Sequence, residues 1–516
     1  MSHRTSRRDF LGQSAAGLLS ASLLGCGTRP DRATGLTPPA RRPNIVFIFD
    51  DQLRACDVGY NGGKNVATPH LDRLASEGVV FTNALSTCPL CTPYRGMLMT
   101  GRHPTHTGIV INWVESNPAE YCIAEAFRDA GYDTGFIGKW HLAAGERKHD
   151  GPHLMTEADR QRRNRARRAY LEQNPEPEFV PPGPARQGFD YWAAFNFHVA
   201  FQRPFYYRDT PERLIMPRYE TDAEIDLAID YMRARQSGDR PFFLMIAPHP
   251  PHPPWNLAHT PEGYLERIPE TLSWRPNVRP EAVEKIAGDP RCYYAMIANF
   301  DDAVGRLVAF LDQSGLAENT LLVITADHGE MLASHGRHNK MVPYEESVGI
   351  PLIFRWPGAL HPARSDALHT PIDHMPTLCA LAGVPIPGRA EGLDFSGVLR
   401  GARPPRRDSV LMMNYSSHWD YFDTGTNWTE WRGVRTPTHT YVRWLGGREE
   451  LYHHLDDPYQ LRNLAENGQD LPTLSRLRRL LADHLAEAHD PLLPGTAYAD
   501  WYDDARNLLR TALGPV

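Results

Sequence analysis

Asp50-Asp51 places two consecutive carboxylates directly after the apolar run Asn44–Phe49, and Asp327-His328-Gly329 follows the apolar run Leu321–Thr325 in the same way. A bare charge pair leaving a buried strand would be costly, and a divalent cation is the natural compensation. Ligation by three aspartates favours a hard cation, Ca²⁺ or Mg²⁺, while the nitrogen of His328 leaves Mn²⁺ or Zn²⁺ open. The alternative is that Asp50 and Asp51 cap a loop. Lys139 and His141 stand two apart after the run Thr134–Ile137, so on a strand end they can face one side. His249 and His252 lie in a His-Pro-Pro-His-Pro-Pro stretch after the run Phe242–Ile246, where prolines fix the backbone and aim the imidazoles. Lys340 follows Asp327, ahead of Pro343-Tyr344-Glu345-Glu346. Cys91-Thr92-Pro93-Tyr94-Arg95 leads into Met99-Thr100-Gly101-Arg102. Cys88 and Cys91 also have C-x-x-C spacing, but a redox pair would leave Pro93, Arg95 and Thr100-Gly101-Arg102 without a role.

The cysteine stretch, followed in order by the lysines, histidines and distal Asp-His-Gly, resembles the sulfatase signature over roughly residues 41 to 465. The resemblance implies that Cys91 is oxidised to formylglycine by a maturation enzyme acting on the unfolded chain. The hydrated aldehyde would then attack sulfur and its second hydroxyl would be deprotonated to eject sulfate. It implies one divalent metal, Ca²⁺ first and Mg²⁺ or Mn²⁺ next, held by Asp50, Asp51, Cys91, Asp327 and His328. Arg95 matches the arginine that supports the nucleophile and metal site. Lys139 and Lys340 match sulfate-binding lysines, and His141 the diol-facing histidine. One of His249 and His252 would contact the sulfate and the leaving oxygen, and His252 is favoured. His335 and His338 read as rim or structural residues. Tyr94 departs from the signature, where serine or alanine is commoner, which bears on recognition by maturation systems. Two alternatives share the site. One is a phosphonate monoester or phosphodiester hydrolase of the same superfamily, against which the paired lysines weigh. The other is an unmatured, lipid-anchored binding protein for sulfated ligands.

These residues need elements to hold them. Apolar runs at 44–49, 79–81, 134–137, 242–246 and 321–325 read as buried strands. Between them, Thr68-Pro69 opens a helix, and 123–127 and 295–311 have helical character. This alternation predicts an α/β fold: a large, mainly parallel sheet sandwiched by helices, with functional residues at the carboxyl ends of strands. The resemblance makes it alkaline phosphatase-like. A Pro/Arg-rich stretch at 401–407 suggests a boundary, giving a catalytic domain at 43–404 and a C-terminal subdomain at 405–516, a small antiparallel sheet with a closing helix.

Residues 1–42 read as an address and a tether. Ser6-Arg7-Arg8-Asp9-Phe10-Leu11 resembles a twin-arginine export signal, and Leu23-Leu24-Gly25-Cys26 a bacterial lipobox. Export to the periplasm or cell surface follows, through a lipid on Cys26 or as a soluble product. The chain has 516 residues, 41% hydrophobic, with net charge −7, which suits a large and a smaller domain and argues against nucleic acid as a partner. Seven scattered cysteines are not a disulfide framework. A basic insert at 161–168 could attract an anionic polysaccharide or be a solvated helix. Aromatic stretches at 191–207 and 419–431 could stack on sugars or pack the core. The expected substrate is a sulfated small molecule or saccharide.

Overall fold

The computed structural model describes residues 41–145, 165, 168–416, 430–466, 470–503 and 505–516. The export signal, Cys26, most of the basic insert and Trp419, Tyr421, Phe422 and Trp428 lie outside the described residues.

Eight strands form the main sheet: β1 (Asn44–Asp50), β2 (Val79–Phe81), β3 (Asp133–Lys139), β4 (Tyr191–Phe195), β5 (Phe242–Ala247), β6 (Thr320–Ala326), β7 (Leu352–Arg355) and β8 (Ala363–Ser365). Their order is β8-β2-β7-β6-β1-β5-β3-β4. Pairing is parallel except at β7, which runs antiparallel to both β2 and β6. The centre of the sheet is the apolar strands read from the sequence: every residue of β1, β5 and β6 is buried. Burial on both faces explains why these strands are continuous apolar runs rather than alternating ones. The aromatic stretch beginning at Tyr191 supplies an edge strand, β4, which pairs with β3.

Helices α1 (Pro69–Glu77), α4 (Glu220–Arg233) and α5 (Pro290–Ser314) pack together, and α2 (Cys91–Thr100), α3 (Ile123–Asp129) and α6 (His374–Ala382) form a second group. Helix α5 is longer than its periodicity suggests. Asp289 caps its N-terminus by accepting from Arg291 N, Pro290 occupies the first turn, and Gly315 ends it at φ +73°. The C-terminal region holds a four-stranded antiparallel sheet in the order β9 (Val410–Asn414), β10 (Trp431–Arg435), β11 (His439–Trp444), β12 (Glu449–His453). Helix α7 (Leu471–Glu487) packs on β9, β10 and β11 through Leu474, Leu477 and Leu481. Residues 39–516 make one compact unit. Among the described residues no helix is long and apolar enough to cross a membrane.

Candidate active site

The parallel strands deliver their polar termini to one edge of the sheet. Asp50 and Asp51 end β1, Asp327 and His328 end its neighbour β6, Lys139 and His141 end β3, and His249 and His252 follow β5. Asp327 N donates to Asp50 O at 3.0 Å, which continues the β1–β6 pairing into the site. Cys91 is the first residue of α2, all of whose residues are buried. The helix stops at Gly101, in the left-handed region at φ +66°, whose N–H donates to Met97 O at 2.8 Å. That conformation gives the Thr-Gly-Arg stop its physical reason.

Asp51, Cys91, Asp327 and His328 converge, with ligand atoms all within 4.8 Å of one another. Cys91 Sγ lies 3.2 Å from His328 Nε2, 3.9 Å from Asp51 Oδ1 and 3.9 Å from Lys139 Nζ. Arg95 donates to Asp51 Oδ2 at 3.3 Å and Asp327 Oδ2 at 3.4 Å, and Lys139 makes a close ion pair with Asp51. Asp50 is not a member of the four-residue group. It is fully buried, and both its carboxylate oxygens are without a hydrogen-bond partner. Lys340 Nζ donates to Gln52 Oε1 at 2.5 Å. The His249 and His252 rings lie 4.6 Å apart, tilted at 42° to each other. His335 instead stacks on Tyr344 at 4.1 Å, a packing role.

The titration pattern follows from burial and from these charges. Burial pushes Asp51 up, but Lys139, His252, Lys340 and His249 outweigh it and hold the carboxyl well below its ordinary value. Burial, then Asp51 and Asp327, push Asp50 well up. Asp327 rises to about 6 by burial and by Asp51. Burial takes His328 down to about 4, which leaves a neutral imidazole with a free lone pair. His141, His249 and His252 are also driven well below the usual histidine value, by burial first and then by Lys139 for His141 and His249 and by Lys340 for His252. Three buried carboxylates, one with orphaned oxygens, beside a neutral imidazole are a donor set that fits one divalent cation. Cys88 and Cys91 are both free thiols, and burial pushes the Cys88 thiol up to about 12, away from thiolate character.

Sequence reasoning did not single out several residues here. Gln52 links Lys340 to Glu330, and its N–H donates to Asp327 Oδ1 at 3.1 Å. Phe197 lies 4.8 Å beneath Lys139 Nζ and 5.1 Å from both His141 and His249. Trp113 packs on His141 at 4.4 Å. Glu220 is a buried carboxyl near Lys139, pushed up to about 8 by burial. Phe197 stood out only as part of an aromatic-rich stretch, and no local pattern marks Trp113.

The Sulfatase family model matches residues 43–384, and a second model, N-sulphoglucosamine sulphohydrolase C-terminal, matches 333–487. An ulvan-active sulfatase of Formosa agariphila is 33% identical over 94% of this chain and 89% of its own length. An endo-4-O-sulfatase of Bacteroides thetaiotaomicron is 29% identical over 88% and 93%. A solved sulfatase structure from a glycosaminoglycan-metabolism locus of the same organism superposes with a TM-score of 0.72 at 27% identity, covering 87% of this chain and 97% of that one. The sheet and the clustered site thus have the architecture of the alkaline phosphatase-like superfamily. Within it the chain belongs to the sulfatase family and is a sulfuric ester hydrolase.

Proposed function

We propose that this protein hydrolyses a sulfate ester on a carbohydrate, through a formylglycine made from Cys91 and one divalent cation, Ca²⁺ first and Mg²⁺ or Mn²⁺ next. The observation that carries the reading is Cys91 at the start of a buried helix, clustered with Asp51, Asp327 and His328. The carbohydrate substrate is supported by the ulvan-active relative and the neighbour from a glycosaminoglycan locus.

Asp50, Asp51, Asp327 and His328 would hold the cation, which would polarise the sulfate oxygens. Formylglycine supplies a hydrated aldehyde, so that one hydroxyl is the nucleophile and the other lets sulfate depart without a separate hydrolysis. The remaining work falls to side chains of this chain. Lys139 and Lys340 bring two ammonium groups to charge spreading over the sulfuryl oxygens. Arg95 holds Asp51 and Asp327 in register through its paired contacts. His141 is neutral and has both ring nitrogens without a hydrogen-bond partner, so it is available to take the hydroxyl proton. His252 Nδ1 lies 2.8 Å from Pro253 O and is a donor there, so Nε2 is the lone-pair nitrogen of the neutral ring and would have to take up a proton, against burial and the Lys340 charge, before passing one to the leaving oxygen. His249 packs against its ring at 4.6 Å.

The proposal includes a formylglycine-generating enzyme acting before folding, twin-arginine export, and a periplasmic or cell-surface location with lipid attachment at Cys26. These rest on sequence motifs alone. The test is mass spectrometry of the peptide containing Cys91, with turnover on sulfated saccharides, aryl sulfates and phosphodiesters. Conversion of Cys91, hydrolysis of a sulfated saccharide, and loss of about 10³-fold or more in Cys91→Ala are expected. Normal activity in Cys91→Ala would sink the mechanism. A clear preference for phosphodiesters would favour the sister hydrolase class, and sulfated-ligand binding by an unconverted thiol without turnover would favour a binding protein.

A further inference from the structure

The loop at 109–116 touches the catalytic groups in two places. Asn112 Oδ1 accepts from Thr92 N at 2.9 Å, at the start of the helix that carries Cys91. The next residue, Trp113, sets its ring 4.4 Å from His141 at 66° and 4.8 Å from Phe197 at 77°. Phe197 in turn lies under Lys139 and 6.2 Å from His252. Both rings are half-buried, unlike the fully buried ion cluster they adjoin. Trp113 holds this place at φ +66°, in the left-handed region that bulky side chains rarely occupy, and such conformations persist only where surrounding structure enforces them.

The enforcing contacts come from the far end of the chain. Arg506 Nη1 donates to Asn112 O at 3.4 Å and to Trp113 O at 3.2 Å, and Glu115 N donates to Arg506 O at 3.0 Å. Tyr502 donates its hydroxyl to Gly108 O, and the Leu508 side chain lies against Gly108. This segment lies beyond residue 487, where the second family match ends.

We propose that Trp113, backed by Phe197, is the subsite for the ring of the sugar that bears the sulfate, taking the apolar face of a pyranose, and that Arg506 is the positioning residue that holds it there. The proposal rests on the sulfatase reading above. An indole beside the sulfate cluster offers a flat, rigid, half-wet surface, the kind of lining that orients a small polar ligand with an apolar face. The two lysines and the ion cluster recognise the sulfate, and the indole recognises what the sulfate is attached to.

The experiment uses matured full-length enzyme, a sulfated pyranoside that it hydrolyses, and inorganic sulfate as competitive inhibitor. An aryl sulfate would stack on the same indole and so is no control. Trp113→Ala should lower kcat/KM on the sulfated pyranoside by about 10–100-fold, mostly through KM, and leave the Ki of inorganic sulfate and the melting temperature nearly unchanged. Trp113→Phe should recover most of the loss. Arg506→Ala should raise KM in the same sense, Arg506→Lys should do so less, and the double variant Trp113→Ala/Arg506→Ala should be no worse than Trp113→Ala, since both act through one ring. Unchanged kcat/KM in Trp113→Ala overturns the subsite. A Ki for sulfate that rises in step with KM also overturns it, because Trp113 would then be supporting the ion cluster. Additive losses in the double variant remove Arg506 from the proposal. A wild-type enzyme that hydrolyses no sulfate ester would sink the underlying reading before any variant is made.

Discussion

Two walls of the active site are made in different ways. The inner wall is Asp51, Arg95, Lys139, Asp327 and His328, all at 0% exposure, placed by strand ends and one buried helix. The outer wall is Trp113, Phe197 and His252, half-buried residues on loops, one of them at positive φ and held by a residue from the last turn of chain. Inner-wall groups compensate one another's charge, so none can change without stranding a partner. Outer-wall groups make ring contacts that can be exchanged for others. The inner wall is therefore suited to the part of the substrate that never varies, the sulfate, and the outer wall to the part that does, the alcohol.

That division can be broken most sharply at the cation. Stripping the enzyme with a chelator should abolish turnover on every ester, and restoring Ca²⁺ should bring back activity and raise the melting temperature, because the ion binds only the folded chain. Full activity in enzyme shown by elemental analysis to be metal-free would remove the cation from the inner wall. Next in size, Lys340→Ala should depress kcat/KM by about 10²–10³-fold, and by a similar factor on two sulfate esters with different alcohols. Loss on one ester alone would move Lys340 to the outer wall, because loss that depends on the alcohol is the behaviour expected of Trp113→Ala.

The smallest effect concerns the core behind the inner wall. His369 and His374 are buried 4.6 Å apart, and His374 lies edge-on to Phe47 of β1. Burial takes His369 down to about 4, and His374 well below its ordinary value. An unfolded chain protonates these rings near pH 6.5 while the folded one resists, so the unfolded state binds more protons and stability falls as pH drops from 6.5 towards 4. For His369 the loss is at most about 3 kcal/mol over that range. His369→Leu should shift acid unfolding to lower pH, read by circular dichroism, with little change at pH 7.5. An unshifted acid midpoint would show that His369 does not contribute to acid lability.

The inner wall was legible because each of its strands is an apolar run that stops at its functional residue. Asp50-Asp51, Lys139 and Asp327-His328 carry this mark, and the Cys91 stretch carries its own. The alternation that predicted a mainly parallel α/β sheet follows from the same runs. Short or polar pieces were not legible: β4 lay hidden in an aromatic stretch, and β8, Ala363–Ser365, is barely apolar and partly exposed. The outer wall was invisible for a deeper reason. Nothing local says that Trp113 sits at positive φ, because the group that holds it is 393 residues away. Gln52 was passed over for a similar cause, since its partners Glu330 and Lys340 lie 278 and 288 residues downstream.

The place of β1 in the sheet also sets a clock. Its partner β6 pairs Asn44 with Thr320 and Asp50 with Ala326, a separation of 276 residues. The surroundings of Cys91 cannot close until that distant strand has been made. At ordinary rates of synthesis, Cys91 precedes Ala326 by roughly 10–50 s. After closure Cys91 is 1% exposed at the head of a helix with no accessible residue, beyond the reach of any modifying enzyme. Under the proposed mechanism, oxidation and folding are therefore competing fates decided once per molecule. The fraction of active enzyme in a preparation would record how fast each chain was made relative to how fast it was modified. Treating the folded thiol form with the modifying enzyme afterwards would not repair it.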